Sequence, residues 1–302
     1  MKRFWLLLRV LFTGIMSIGT AQSMDLTFTT VNGGGGVPLS VGHGGNSDGP
    51  DILFIHGFSQ SYLSWAEQIN SDLGDKYSIT VFDLRGHGAS GKPSDRESYR
   101  SSQLWGDDIA AIIDQQELDK PVLVGWSWAG FVIMNYVRHY GVNDITGINL
   151  VGANTSLQGA VPPPPPKPGQ NMEWFGEMMS PDIAVNLRGV TAFIDLVTAE
   201  PLAPDVREKN IMFNMMTPFY VRRAMMGYPT DNSDLADKVT VPVLISHGTD
   251  DLIVSFDGAT AITAVLPDAT VSTYDKIGHA PFMEDPDRFN RELSAFVDRV
   301  IE

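Results

Sequence analysis

An apolar run, Pro121-Val122-Leu123-Val124, leads directly into Gly125-Trp126-Ser127-Trp128-Ala129-Gly130, and a helix-like stretch follows to residue 140. A short buried strand must end here, turn within a few small residues and start a helix. Small residues allow a turn sharp enough to push the serine hydroxyl out of the fold. A helix that starts there aims its free N–H groups at any negative charge formed beside the hydroxyl. Ser127 has two readings on this pattern: an exposed nucleophile, or a helix N-cap. The usual form of such a turn is G-x-S-x-G, and this chain departs from it, with Ala129 in the fifth position and glycine only at 130.

The surrounding sequence repeats the strand-then-helix rhythm. Strands are expected at 51–55, 78–82, 121–124, 145–151, 241–246 and 270–274, and helices at 61–73, 101–118, 127–140 and 287–301. The alternation predicts an α/β fold, a mostly parallel central sheet with helices on both faces. Catalytic groups in such a fold sit at the carboxyl ends of the strands. The rhythm breaks between 155 and 238. A run of five prolines, 162–166, suits neither helix nor sheet, and only helix-like pieces follow. The expected organisation is a core of 24–154 and 239–302 with 155–238 inserted as a helical cap. Eight of the 13 methionines fall in that insertion. Their adaptable side chains either pack a small helical unit or offer apolar substrates a compliant surface.

Residues 1–23 stand apart. Lys2 and Arg3 precede an apolar stretch that ends in Gly19-Thr20-Ala21-Gln22-Ser23, the layout of a secretory signal peptide. The expectation is export to the periplasm or beyond. Arg9 interrupts the apolar stretch, and Met24 as the true start, with a cytoplasmic protein, is the competing reading. No other segment approaches the roughly 20 apolar residues of a membrane span. The 302 residues carry 21 Lys+Arg against 36 Asp+Glu, a net charge of −15, which argues against nucleic-acid partners and anionic membranes. Cysteine is absent, so disulfides, thiolate metal sites and a cysteine nucleophile are excluded.

A nucleophilic serine needs a base, and the base needs an orienting acid. Of the six histidines, His279 alone stands on a loop between the last strand and the last helix, where it can swing over the serine. Asp250 and Asp251, in His247-Gly248-Thr249-Asp250-Asp251, follow a strand and are both candidate acids. The chain order is then serine, acid, histidine.

Taken together, His56-Gly57-Phe58, 83–90, 125–130, 248–254 and 278–286 resemble the α/β-hydrolase superfamily, over nearly everything from residue 50 to 300 except the cap. The resemblance is to capped serine hydrolases, and among them to carboxylesterases and cofactor-free haloperoxidase-like members. It implies Ser127 as nucleophile, His279 as base and Asp251 in place of Asp250 as acid. It places the oxyanion hole at the backbone N–H groups of Phe58 and Trp128. His56, Asp83, Arg85 and His87 become structural parts of turns. Trp126, Trp128 and Phe282 are expected to wall the substrate pocket, with core packing as the alternative for the two tryptophans. Arg222 and Arg223 are expected on a solvated cap surface, with contact to a substrate carboxylate as the alternative. No metal or organic cofactor is implied. The partner is a small acyl substrate, most simply a carboxylic ester, and the oligomeric state stays open. Amide or peptide, lactone and carbon–carbon substrates belong to the same resemblance. So do triad-bearing receptors with little turnover, and hydrolases whose elbow has degraded.

Overall fold

The computed structural model describes residues 24–159, 163–166 and 172–301. The expected signal peptide at 1–23 lies outside the described residues, as does part of the proline-rich stretch. Eight strands form one sheet: β1 (Thr27–Asn32), β2 (Pro38–Gly45), β3 (Asp51–Ile55), β4 (Ser78–Phe82), β5 (Val122–Trp126), β6 (Gly147–Val151), β7 (Val243–Gly248) and β8 (Thr270–Tyr274). Their order is β1-β2-β4-β3-β5-β6-β7-β8. The strands from β4 to β8 in that order are parallel, while β1 and β2 are antiparallel to their neighbours.

The β1–β2 hairpin is an addition to the strands expected from the sequence. Only Val31 of β1 is buried, and glycines occupy three of the eight positions of β2. An edge strand with so little buried surface leaves almost no alternation to read. The expected helix at 61–73 is also shorter than its pattern suggests. It breaks into a 3-10 turn at Tyr62–Trp65 and single helical turns at Ala66–Ile69 and Leu73–Lys76.

The longer helices are α1 (Ser102–Gln115), α2 (Ala129–Tyr140), α3 (Ile183–Val197), α4 (Pro204–Met215), α5 (Phe219–Met225) and α6 (Pro286–Ile301). Alternate residues of a strand point to opposite faces, and β3 divides accordingly. Leu53 and Ile55 join a core with Trp105, Ile109 and Ile133 of α1 and α2. Ile52 and Phe54 join another with Phe289, Leu293 and Phe296 of α6. The central strands are therefore covered on both sides and carry continuous apolar runs. Between β6 and β7 the described residues form helices and no strand. No helix among the described residues is long and apolar enough to cross a membrane.

A buried ion pair fixes the loop that leaves β4. Arg85 makes two 2.6 Å contacts to Asp108 of α1, and its remaining N–H groups donate to the carbonyls of Gly34, Ser98 and Leu104. All three guanidinium nitrogens are hydrogen-bonded, as a buried arginine requires.

Candidate active site

β5 ends at Trp126 and α2 begins at Ala129, so Ser127 occupies the reversal between them. Its φ is +57°, the left-handed region that a residue with a Cβ seldom enters. The turn holds it there. Ser127 N–H donates to the carbonyl of Val151 at 2.9 Å, and its own carbonyl accepts from Gly130 and Asn154. Glycine is needed at 130 because a Cβ there would lie 2.5 Å from the Asn154 carbonyl oxygen. Ala129, by contrast, is fully buried among apolar residues, so its methyl group is accommodated.

His279 stands on the loop between β8 and the helical turn Pro281–Glu284. Three contacts place it. Its N–H donates to the Val197 carbonyl at 2.9 Å, its carbonyl accepts from the Trp126 indole at 3.0 Å, and its ring lies against Gly152. A side chain at Gly152, whose φ is +49°, would meet both the carbonyl and the ring of His279. His279 Nδ1 is 2.7 Å from Asp251 Oδ2, while its Nε2 is buried and bonds to no partner among the described residues. One ring nitrogen is thus engaged by the acid and the other is left for a proton.

Asp251 follows β7 and is almost completely buried. Its Oδ1 accepts from the N–H groups of Ile253 and Val254, and its Oδ2 faces both His279 and His247, the latter at 3.1 Å. Burial alone would raise its pKa. The two histidines outweigh burial and hold the carboxyl well below the usual carboxylate range. Asp250, the other candidate acid, is exposed, and among the described residues its carboxylate accepts from the Thr249 hydroxyl alone. His247 opens the sequence motif that carries Asp251, but nothing in the sequence shows that the two side chains meet.

The loop 56–59 lies against Ser127, with a Cβ on Gly57 falling 3.0 Å from Ser127 Cβ. Among the described residues, the backbone N–H groups of Phe58 and Trp128 are engaged by no carbonyl or side chain. His56 and His87 shape this loop. His56 Nε2 accepts from Leu84 N–H, leaving its Nδ1–H for the Gly57 carbonyl. His87 Nε2 accepts from Ser59 N–H, leaving its Nδ1–H for the Arg85 carbonyl. Burial lowers the pKa of both rings, in keeping with neutral imidazoles.

A cavity of about 320 Å³ opens at Ser127. Phe58, Trp128, Phe131, Trp174, Phe193 and Tyr228 supply most of its aromatic wall. Trp128 Nε1 is buried without a hydrogen-bond partner among the described residues. Trp126 and Phe282 do not line the cavity, contrary to expectation. Both are buried in the core beneath it, 5.0 Å apart edge to face, because Trp126 shares the α6-facing side of β5 with Val122 and Val124. Phe131, Trp174, Phe193 and Tyr228 were missed by sequence reasoning. Three of the four come from the segment between β6 and β7, whose folding against Ser127 carries no local signal. A larger groove of about 830 Å³, between α4 and residues 63–70, contains none of Ser127, Asp251 and His279. Arg223 is exposed as expected, donating to the Met179 carbonyl. Arg222 is not on a solvated surface. It is completely buried, because its helix turns it inward onto Ser59.

A model described as the alpha/beta hydrolase family matches residues 52–292. The chain is similar to the non-heme chloroperoxidase of Streptomyces lividans, at 28% identity over 274 residues that cover 84% of this chain and 93% of that one. It is similar to the bifunctional esterase/perhydrolase DCH of Acinetobacter calcoaceticus, at 26% identity over 284 residues, covering 87% and 96%. Among solved structures, a Burkholderia cenocepacia protein provisionally assigned as an aryl esterase superposes with a TM-score of 0.83 at 34% identity, covering 91% of this chain and 99% of that one.

Proposed function

The chain belongs to the alpha/beta hydrolase family, and on that premise we propose that it is a serine hydrolase that cleaves carboxylic esters through an acyl-enzyme. The observation that carries this reading is Ser127 itself, a non-glycine residue at φ +57° where a strand reverses into a helix. Such strain persists only where the surroundings over-determine it, and it gathers at functional sites. The neighbouring geometry supports the same chemistry, and the names of the esterase relatives agree with it.

In the proposed reaction His279 Nε2 takes the Ser127 hydroxyl proton as Oγ attacks the ester carbonyl carbon. Asp251, bound at Nδ1, fixes the imidazole tautomer and stabilises the imidazolium that forms. The carbonyl electron pair moves onto oxygen, where the N–H groups of Phe58 and Trp128 receive it. The tetrahedral adduct collapses, the C–O bond to the leaving group breaks, and His279 returns its proton to the departing alkoxide. Water then attacks the acyl-serine by the same proton relay and releases the carboxylic acid. Each oxyanion donor contributes a factor of about 10²–10³.

Under this reading the helices between β6 and β7 act as a cap that supplies the apolar wall. The aromatic lining and the free Trp128 indole N–H suit an acyl group with a flat or bulky apolar body and a polar acceptor. Ser127→Ala is expected to remove turnover of a p-nitrophenyl ester series, acetate to octanoate, while the protein stays folded by circular dichroism. Near wild-type activity in that variant would show that the nucleophile lies elsewhere.

A further inference from the structure

Arg222 is a buried cation that pairs with no carboxylate among the described residues. Its four hydrogen bonds all go to neutral acceptors: Ser59 Oγ at 2.8 Å, the Met178 carbonyl at 2.9 Å, Asn186 Oδ1 at 2.9 Å and the Asn214 carbonyl at 2.6 Å. Burial lowers its pKa to about 10, still leaving it charged at neutral pH. A buried unpaired charge is costly, and three of these contacts merely knit together pieces of the segment between β6 and β7. The fourth crosses to the core, and its target is the residue after Phe58.

Ser59 is also in the left-handed region, at φ +64°. The loop is gripped on its other sides by neutral groups, His56 Nδ1–H on the Gly57 carbonyl and His87 Nε2 on the Ser59 N–H. Among the described residues, Arg222 is the charged group that bonds to this loop, and it reaches it from the segment between β6 and β7. Asn214 adds a parallel link to Gln60 at 3.1 Å.

We propose that Arg222 is a positioning residue for the oxyanion site, clamping Ser59 so that the Phe58 N–H is held toward the reacting carbonyl. The proposal rests on the reading of Phe58 as an oxyanion donor. The planar fork of arginine suits the task, because one guanidinium satisfies four fixed acceptors, one of them on the residue after Phe58. Lysine would keep the charge and lose the fork. The clamp also makes the oxyanion site depend on how α5 is seated.

The test compares wild type with Ser59→Ala, Arg222→Lys, Arg222→Met and the Ser59→Ala/Arg222→Met double variant. Ser59→Ala cuts the single contact to the loop and leaves Arg222 bonded to its own segment, so it decides the matter even where Arg222→Met does not fold. Two quantities are read: kcat and KM on p-nitrophenyl butyrate, and the inhibition constant of butylboronic acid, whose adduct mimics the tetrahedral intermediate. A lost fraction of one donor's factor corresponds to about a tenfold fall in kcat for Ser59→Ala and about 30-fold for Arg222→Met. KM is expected within threefold of wild type, with boronate affinity weakened in step with kcat and the double variant no worse than Arg222→Met. Arg222→Lys is expected to fall between wild type and Arg222→Met. Kcat and boronate affinity within twofold of wild type in Ser59→Ala would overturn the proposal, as would a change confined to KM. Ser127→Ala, run alongside, separates the two failures: turnover surviving in it removes the catalytic reading, and an inert Ser127→Ala with unaffected Ser59→Ala removes this inference alone.

Discussion

Asp250 and Asp251 are adjacent, yet they stand in opposite electrostatic positions. Asp251 is buried, accepts two backbone N–H groups and faces two histidines, whereas Asp250 is exposed with one hydroxyl partner. Asp251→Asn is therefore expected to lower kcat/KM by about 10³–10⁴, and Asp250→Asn by less than about threefold, since exposed substitutions of this kind change little. Steady-state kinetics of the two variants on one ester checks the ranking, and the reverse order would move the acid to 250. The sequence could separate the pair only through a family resemblance. What distinguishes them physically is the loop from β8 arriving over residue 251, and that contact is made by chain remote in sequence. For the same reason Ser127 and His279 were legible from their places in the strand-and-helix rhythm, while His247, Arg222 and the aromatic wall were not.

At the scale of the element, the turn from β5 into α2 is the most constrained piece of the fold. Its glycine sits one position later than in the common pattern, and the packing accounts for this. The position with no room is 130, against the Asn154 carbonyl, while the Ala129 methyl is absorbed by the core. Gly130→Ala is expected to destabilise the protein by about 1–3 kcal/mol, the usual cost of forcing atoms into a filled site. Ala129→Gly is expected to leave kcat within about twofold and to cost about 1 kcal/mol. Urea unfolding and ester kinetics on both variants check this, and a large gain in activity for Ala129→Gly would mean that the natural elbow is impaired. Strands with two buried faces, β3 and β4, were readable to the residue from their apolar runs. The β1–β2 hairpin was not, because an edge ribbon rich in glycine buries little.

At the scale of the whole molecule, the helices inserted between β6 and β7 share a core with the sheet. Met178, Val190, Phe193, Ile194 and Val197 pack in one cluster with Trp65, Phe282 and the strands. The His279 loop is stitched to the same segment: His279 N–H donates to Val197, and Glu284 accepts from both Gly278 and Ala199. The inserted helices and the sheet are thus expected to unfold as one cooperative unit. Scanning calorimetry is expected to give a single transition, with calorimetric and van't Hoff enthalpies in agreement, and two resolved transitions would contradict this. The alternation of strands and helices made the core legible. How the insertion folds back onto it was not, because that packing joins segments far apart in the chain.

The central claim is that Ser127 is the nucleophile of an acyl-transfer reaction. The most direct measurement is intact-protein mass after treatment with a fluorophosphonate, on residues 24–302 and on the Ser127→Ala variant of the same length, with ester turnover recorded before and after. The account predicts one phosphonyl adduct per wild-type chain, loss of turnover in proportion to labelling, and no adduct on Ser127→Ala. An adduct that persists in Ser127→Ala, or turnover that survives complete labelling, would contradict it.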